Sequence, residues 1–224
     1  QVLDLYETLG NPFSEAQQKA DLAIVKDFAE LVKRKEVKQM AQNLLRHTVV
    51  VTFTTQADEE VDAFLLEQIK RQYPQTNFLT EETAPADYSS LKDTNDLWVV
   101  DPLDGTINFS RMHPHFAISI GLVDKGVPKL GVVHIPMTGD TYWAQADQEG
   151  AFLNGEPIQV SPTDDLGESV VACDWAWGLE KRLNVVRWLN NVSTHVRQIK
   201  SMGSAVADLA SLSGGRIDAY MHSG

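Results

Sequence analysis

Apolar positions along this chain repeat with two periods, and the switches between them outline its elements. Residues 14–35, SEAQQKADLAIVKDFAELVKRK, space Ala, Leu, Ile, Val and Phe three and four apart. That predicts a helix, with Ser14 and Gln17 forming a capping box. The β-branched run TVVVTFT (48–54) predicts a strand. Residues 57–73 return to the helical period, with Val61, Phe64, Leu65 and Ile69 on one stripe and acids in the first turn. Two short apolar runs follow, Asn77–Leu79 and Leu97–Val100. Both read as buried strands that deliver acids at their C-terminal ends, Glu81 and Asp101. From Phe116 to Ala146, FAISIGLV, PKLGVVHIP and DTYWAQA are separated by the turn sequences DKGV and MTGD, which predicts an antiparallel meander. Alternation then resumes: strand SVVAC, helix LEKRLNVVRWL, strand HVRQI, helix SAVADLASLS and strand RIDAYM. A boundary near VSPTDDLGES (160–169) divides the chain into an α+β part, 1–160, and an α/β part, 161–224.

Composition narrows the function classes. A chain of 224 residues with 43% hydrophobic and 22% charged residues can bury a sizeable core. The net charge of −12 argues against nonspecific nucleic-acid binding. It leaves room for an anionic small substrate, because bound divalent cations reverse the local field. The single cysteine, Cys173, allows no internal disulfide and lies in an apolar strand as an inert buried thiol. No basic start with an apolar core opens the chain, and no run of about 18 apolar residues occurs. The expectation is a soluble cytoplasmic protein with neither a nucleic-acid nor a membrane partner.

The informative stretch is DPLDGTINF, 101–109. A bare D-x-x-D is most often a pair of solvated loop acids. Here Asp101 follows an apolar strand, where an acid is costly to bury unless it is paired or bound to a cation. Pro102 fixes φ and removes a donor, Gly105 permits close approach to the backbone, and Thr106 opens a helix whose N–H groups can hold an anion. Oxygen-only ligands point to Mg²⁺ or Mn²⁺. A second acidic pair, Glu81 and Glu82, ends another strand, with a solvated loop as its plain alternative. Asp58 in TQAD is a third candidate, with an ordinary helix cap as its alternative. Acids on three segments beside a phosphate-cradling turn suggest metal-assisted hydrolysis of a phosphate ester. Two other features weigh less. His113 and His115 lack a third zinc ligand. Trp143, Trp175, Trp177 and Trp188 read as core or interface.

WVVDPLDGTINF resembles the signature of the inositol monophosphatase family, lithium-sensitive Mg²⁺-dependent phosphatases. FLTEET resembles the family's Glu-Glu element, with Thr80 in place of the usual glycine, and TQAD fits its T-x-A-D element. GVVHIP, GAFLNGEPIQVS and SMGSAVADLASLSGGRIDAY are also similar to family segments, so the resemblance covers essentially the whole chain. It implies an α/β layered, sugar-phosphatase-like fold, with a metal-binding α+β domain at 1–160 and an incomplete α/β domain at 161–224. It also implies two or three Mg²⁺ ions, with Mn²⁺ as a substitute, and a homodimer.

The roles it implies fall on single residues. Glu81, Asp101 and the Leu103 carbonyl would hold the first metal. Asp101 would bridge to a second, with Asp104 as its other ligand from this turn. Glu81 and Thr106 would orient and help deprotonate the attacking water. Gly105 and Thr106 amides would contact the phosphate, while Asp58 and Glu82 would support the metals. Gly203, Ser204 and Ala205 match the substrate-side turn, with Asp174 as a looser candidate. The implied reaction is in-line hydrolysis of inositol 1-phosphate without a phosphoenzyme. The chain stops at Gly224, before the family's Trp-Asp motif, and so reads as partial, with exposed apolar surface and an open strand edge expected. His222 stands near a position that is often acidic in the family. Fructose bisphosphatase, histidinol phosphatase and nucleotide 3′-phosphatase remain alternatives on the same turn, and NF after DGTI favours the inositol branch. A catalytically weak regulatory binding protein is the alternative from another class. A bare cation binder would leave Gly105 and Thr106 without a task.

Overall fold

The computed structural model describes residues 56–81, 84, 88–175 and 178–222. The helix expected at 14–35, the strand at 48–54, Glu82 and Trp177 lie outside them. The apolar stripe of the first described helix, α1 (Gln56–Gln72), is buried as its period predicts. Val61, Leu65 and Ile69 pack against Trp98, Val100, Ile118, Ile120, Leu130 and Val132. These partners alternate along three neighbouring strands, as one face of a pleated sheet must.

Among the described residues that sheet has seven strands in sequential order. β1 (Asn77–Thr80) runs parallel to β2 (Leu97–Asp104). The rest are antiparallel: β3 (Ala117–Asp124), β4 (Val127–Ile135), β5 (Asp140–Gln145), β6 (Ala151–Leu153) and β7 (Glu156–Ile158). The meander is as expected, but periodicity gave no sign of β6 and β7. Three residues are too few to show an alternation, and Asn154-Gly155 supplies the turn between them, both at positive φ. Leu65 is 0% exposed at the centre of this core. Leu65→Ala is expected to cost about 3–4 kcal/mol, read as a lower denaturant midpoint at unchanged slope.

A second sheet holds, among the described residues, three parallel strands in the order β10–β8–β9: β8 (Val170–Cys173), β9 (Gln198–Lys200) and β10 (Ala219–Met221). Parallel neighbours require crossovers, supplied by α3 (Leu179–Val192) and α4 (Ala205–Ser213), with the five-residue α2 (Thr106–Ser110) belonging to the first half. The strands expected over HVRQI and RIDAYM are shorter than their apolar runs. α4 packs against both sheets, its Ala207 and Ala210 meeting Ala117, Ile135 and Tyr142. Small side chains there let the helix sit close, which makes an α/β layered architecture.

Trp143 stacks on Phe152 with centroids 4.3 Å apart, but Trp175 and Trp188 are exposed. Leu179, Leu183 and Val186 on α3 are exposed as well. Among the described residues β9 and β10 each have one strand neighbour, and no helix is long and apolar enough to cross a membrane. Cys173 is buried, and burial raises its thiol pKa, as expected of an inert position.

Candidate metal and phosphate site

β2 does not end at Asp101. It runs on to Asp104, with a register break between Asp101, opposite Ser119, and Asp104, opposite Ala117. Pro102 explains the break, since it has no N–H to continue the ladder. Pro102 and Leu103 are buried, so both acids are carried on a strand rather than on a free loop. The Leu103 N–H donates to Asp101 Oδ1 at 3.0 Å. Beneath lies a small apolar cluster of Ala57, Leu103, Phe109 and Phe116, with the two phenyl rings edge to face at 5.2 Å.

Thr106 opens α2, as expected, with Gly105 as its cap. Its hydroxyl lies 3.1 Å from the Leu103 carbonyl and 3.3 Å from Asp58 Oδ1, either of which it can donate to. Asp58 is therefore more than a cap. It sits inside the first turn of α1, 2% exposed, with its carboxylate toward Thr106. Glu81 follows directly on β1 and is exposed. Thr80, where the family has glycine, is buried and hydrogen-bonds Asp62 on α1, which accounts for a hydroxyl at that strand end.

Asp104 faces the other way. Its Oδ2 accepts from Ser204 Oγ at 2.5 Å and from the Val206 N–H at 2.8 Å. A carboxylate on β2 thus sits at the N-terminus of α4, where helix dipole and unpaired N–H groups favour negative charge. Ser204 is the cap of that helix and accepts from the Ala207 N–H at 3.3 Å. Gly105, at φ +94°, fits between the two turns. A Cβ there would lie 3.2 Å from the Gly203 and His115 carbonyls and from Ser204 Cβ. The Gly203–Ala205 turn is thereby brought against the turn of the two aspartates.

Asp101 has its pKa pushed up to about 7, first by burial and then by Asp104, Glu81 and Asp58 around it. Burial also raises that of Asp104, against the hydrogen bonds from Ser204 and Val206, with Asp174 and Asp208 adding repulsion. Tyr220 Oη donates to Asp174 at 2.5 Å, and burial first, then this bond, drives the phenol pKa far upward. His113 is exposed, and His115 Nε2 meets Asp208 Oδ1 at 3.0 Å. The histidine pair therefore points to two different surroundings.

The sequence profile of the inositol monophosphatase family matches residues 13–224. The chain belongs to this family. Relatives include the inositol-1-monophosphatase of Synechocystis, 37% identical over 176 residues, covering 76% of this chain and 58% of that protein. A second is the fructose-1,6-bisphosphatase/inositol-1-monophosphatase of Thermotoga maritima, 31% identical over 179 residues, covering 80% and 65%. The chain thus spans less than two thirds of these relatives' length. Among solved structures, the extragenic suppressor protein suhB of Bartonella henselae superposes with a TM-score of 0.76 at 26% identity, covering 89% of this chain and 78% of that one.

For this member of the inositol monophosphatase family the donor chemistry fits a hard divalent cation. Burial first, and then the nearby carboxylates of Asp104, Glu81 and Asp58, push the Asp101 pKa up, and a cation would relieve both the lost hydration and the repulsion. Among the described residues no three His, Cys, Asp or Glu side chains form a metal-holding group. A cation held here would draw the rest of its coordination from carbonyl, hydroxyl and water oxygens, as Mg²⁺ commonly does.

Proposed function

We propose that this protein hydrolyses a small phosphomonoester, inositol 1-phosphate foremost, as a cytoplasmic Mg²⁺-dependent homodimer. The observation that carries the reading is that Asp58 and Thr106 meet beside Asp101 at the register break of β2, while Asp104, from the same turn, reaches the start of α4. Glu81, Asp101, Asp104 and the Leu103 carbonyl would hold the two or three ions, with Mn²⁺ as a substitute. Bound there, the ions would supply the positive charge that draws in and polarises a phosphate. Thr106 and Glu81 orient the attacking water, with Asp58 and the Leu103 carbonyl as the two acceptors that fix the Thr106 hydroxyl. Gly105 and Thr106 hold the phosphate, and Gly203, Ser204 and Ala205 face the alcohol part. The division at about residue 160 belongs to the same reading, the acids lying before it and the Gly203–Ala205 turn after it.

A phosphate-release screen of the full-length protein with Mg²⁺, across inositol, sugar and nucleotide phosphates, tests this. Release from inositol 1-phosphate supports it, and release from none overturns it in favour of a regulatory binding role. The name of the Thermotoga relative favours fructose 1,6-bisphosphate as the second substrate to try. Thr106→Ala is expected to lower kcat about a hundredfold with little change in KM, because water positioning acts only in the transition state. A change confined to KM would assign Thr106 a binding task instead.

A further inference from the structure

The candidate site is divided between two turns that chain connectivity does not hold together. Asp104 and Ser204, which bridge them, are 100 residues apart. Asp104 also has a proposed part in metal binding, so other groups are needed to fix the distance. Two are present, and neither has a task in the proposed chemistry. Asn108 Nδ2, on α2, donates to the Met202 carbonyl at 2.7 Å and to the His115 carbonyl at 2.7 Å. Only an amide or a cation has the hydrogens to serve two carbonyls at once from one nitrogen, and a carboxylate would repel both. Gly203, at φ +80°, makes room for this group: a Cβ there would lie 3.1 Å from Asn108 Nδ2 and 3.3 Å from its Oδ1. The second tie is His115 Nε2 to Asp208 Oδ1 at 3.0 Å, with Asp208 buried in the first turn of α4.

We infer that Asn108 and the His115–Asp208 pair are positioning groups that set the Gly203–Ala205 turn against the Asp101–Thr106 turn, and so govern affinity for the alcohol part of the phosphate ester. The inference rests on the phosphatase reading above. Displacing the substrate-side turn removes contacts with a part of the substrate that does not react. Such contacts are equal in ground and transition state, and their loss appears in KM.

The test compares wild type, Asn108→Ala, His115→Ala and His115→Gln in the full-length protein. It measures kcat and KM for the ester found in the screen, inhibition by inorganic phosphate, and amide hydrogen exchange over residues 203–207. Both alanine variants are expected to raise KM about tenfold, the scale of one lost aligned hydrogen bond. Their kcat and their inhibition by inorganic phosphate, which has no alcohol part, should stay near wild type. His115→Gln can still donate to Asp208 and is expected to recover most of the loss. Exchange over 203–207 should accelerate in the alanine variants alone. Unchanged KM and exchange with only a lower melting temperature would overturn the inference. A fall in kcat with a greater Mg²⁺ requirement at constant KM would overturn it too, by assigning these groups to the metal side. If wild type releases phosphate from no ester, the phosphatase reading fails, yet the exchange comparison still decides whether the ties hold the turn. If Asn108→Ala does not fold, the His115 variants decide it.

Discussion

Asp101→Asn is expected to cut phosphate release at least about a hundredfold while making the metal-free protein more stable at neutral pH. Both effects come from the same crowding. Burial and the acids around it hold the Asp101 pKa at about 7, against an ordinary value of 3.8. Between those values the folded state keeps a proton that the unfolded chain has released. Stability of the metal-free protein therefore falls as pH rises from about 4 to about 7, and the loss is complete above that. At about 1.4 kcal/mol per pH unit the effect is at most on the order of 4 kcal/mol, less what solvent screening removes at a half-buried carboxylate. Asparagine has the same shape and no charge, so its melting temperature in EDTA should lie above that of wild type at pH 8 and converge with it near pH 4. Retained turnover would remove Asp101 from the proposed chemistry. A variant that melts no higher than wild type at pH 8 would show that the acids are not in conflict.

Gly105→Ala is expected to be the most disruptive single change to the site's architecture. The added carbon meets two backbone carbonyls and a Cβ, none of which can rotate away, and φ +94° is itself unfavourable for alanine. Strain and overpacking together cost about 2–4 kcal/mol, roughly 5–15 °C in melting temperature for a chain of this size. Activity should fall further than stability, because relief of the clash moves the Gly203 turn away. Calorimetric melts with a phosphate-release assay check this. A variant with wild-type Tm would mean that the two turns do not touch in solution.

What was legible in the sequence and what was not divide by range. The α1 stripe, the meander and the helices α3 and α4 follow from periodicity, because each depends on neighbours a few residues away. The signature at 101–109 was legible for a similar reason, since its proline, glycine and acids lie within one turn. Several features could not be read this way. The course of β2 through Asp101 to Asp104 is set by β3 alongside, whose register resumes after Pro102. The shift of Asp58 from a cap to a buried partner of Thr106 is decided by packing between α1 and α2. The placing of Asp104 at the start of α4 needs the fold itself. His115 stands out in the sequence only as half of a histidine pair and Asn108 only as part of the signature, while Asp208 carries no local signal. Their partners, Met202 for Asn108 and Asp208 for His115, lie 94 and 93 residues further along the chain, beyond the reach of any local pattern.

The span between Asp104 and Ser204 also has a consequence in time. A ribosome adds about 5–20 residues per second, so a nascent chain already bears both signature aspartates on the order of 5–20 s before Ser204 is synthesised, 100 residues later. During that interval the strand that carries the acids has no helix end to receive Asp104. A chain stalled or cleaved between Ile158 and Ser204 keeps the whole signature motif and the seven described strands of the first sheet, yet has only half of the geometry. Translation past Ser204 is what first brings the two sides of the turn pair together.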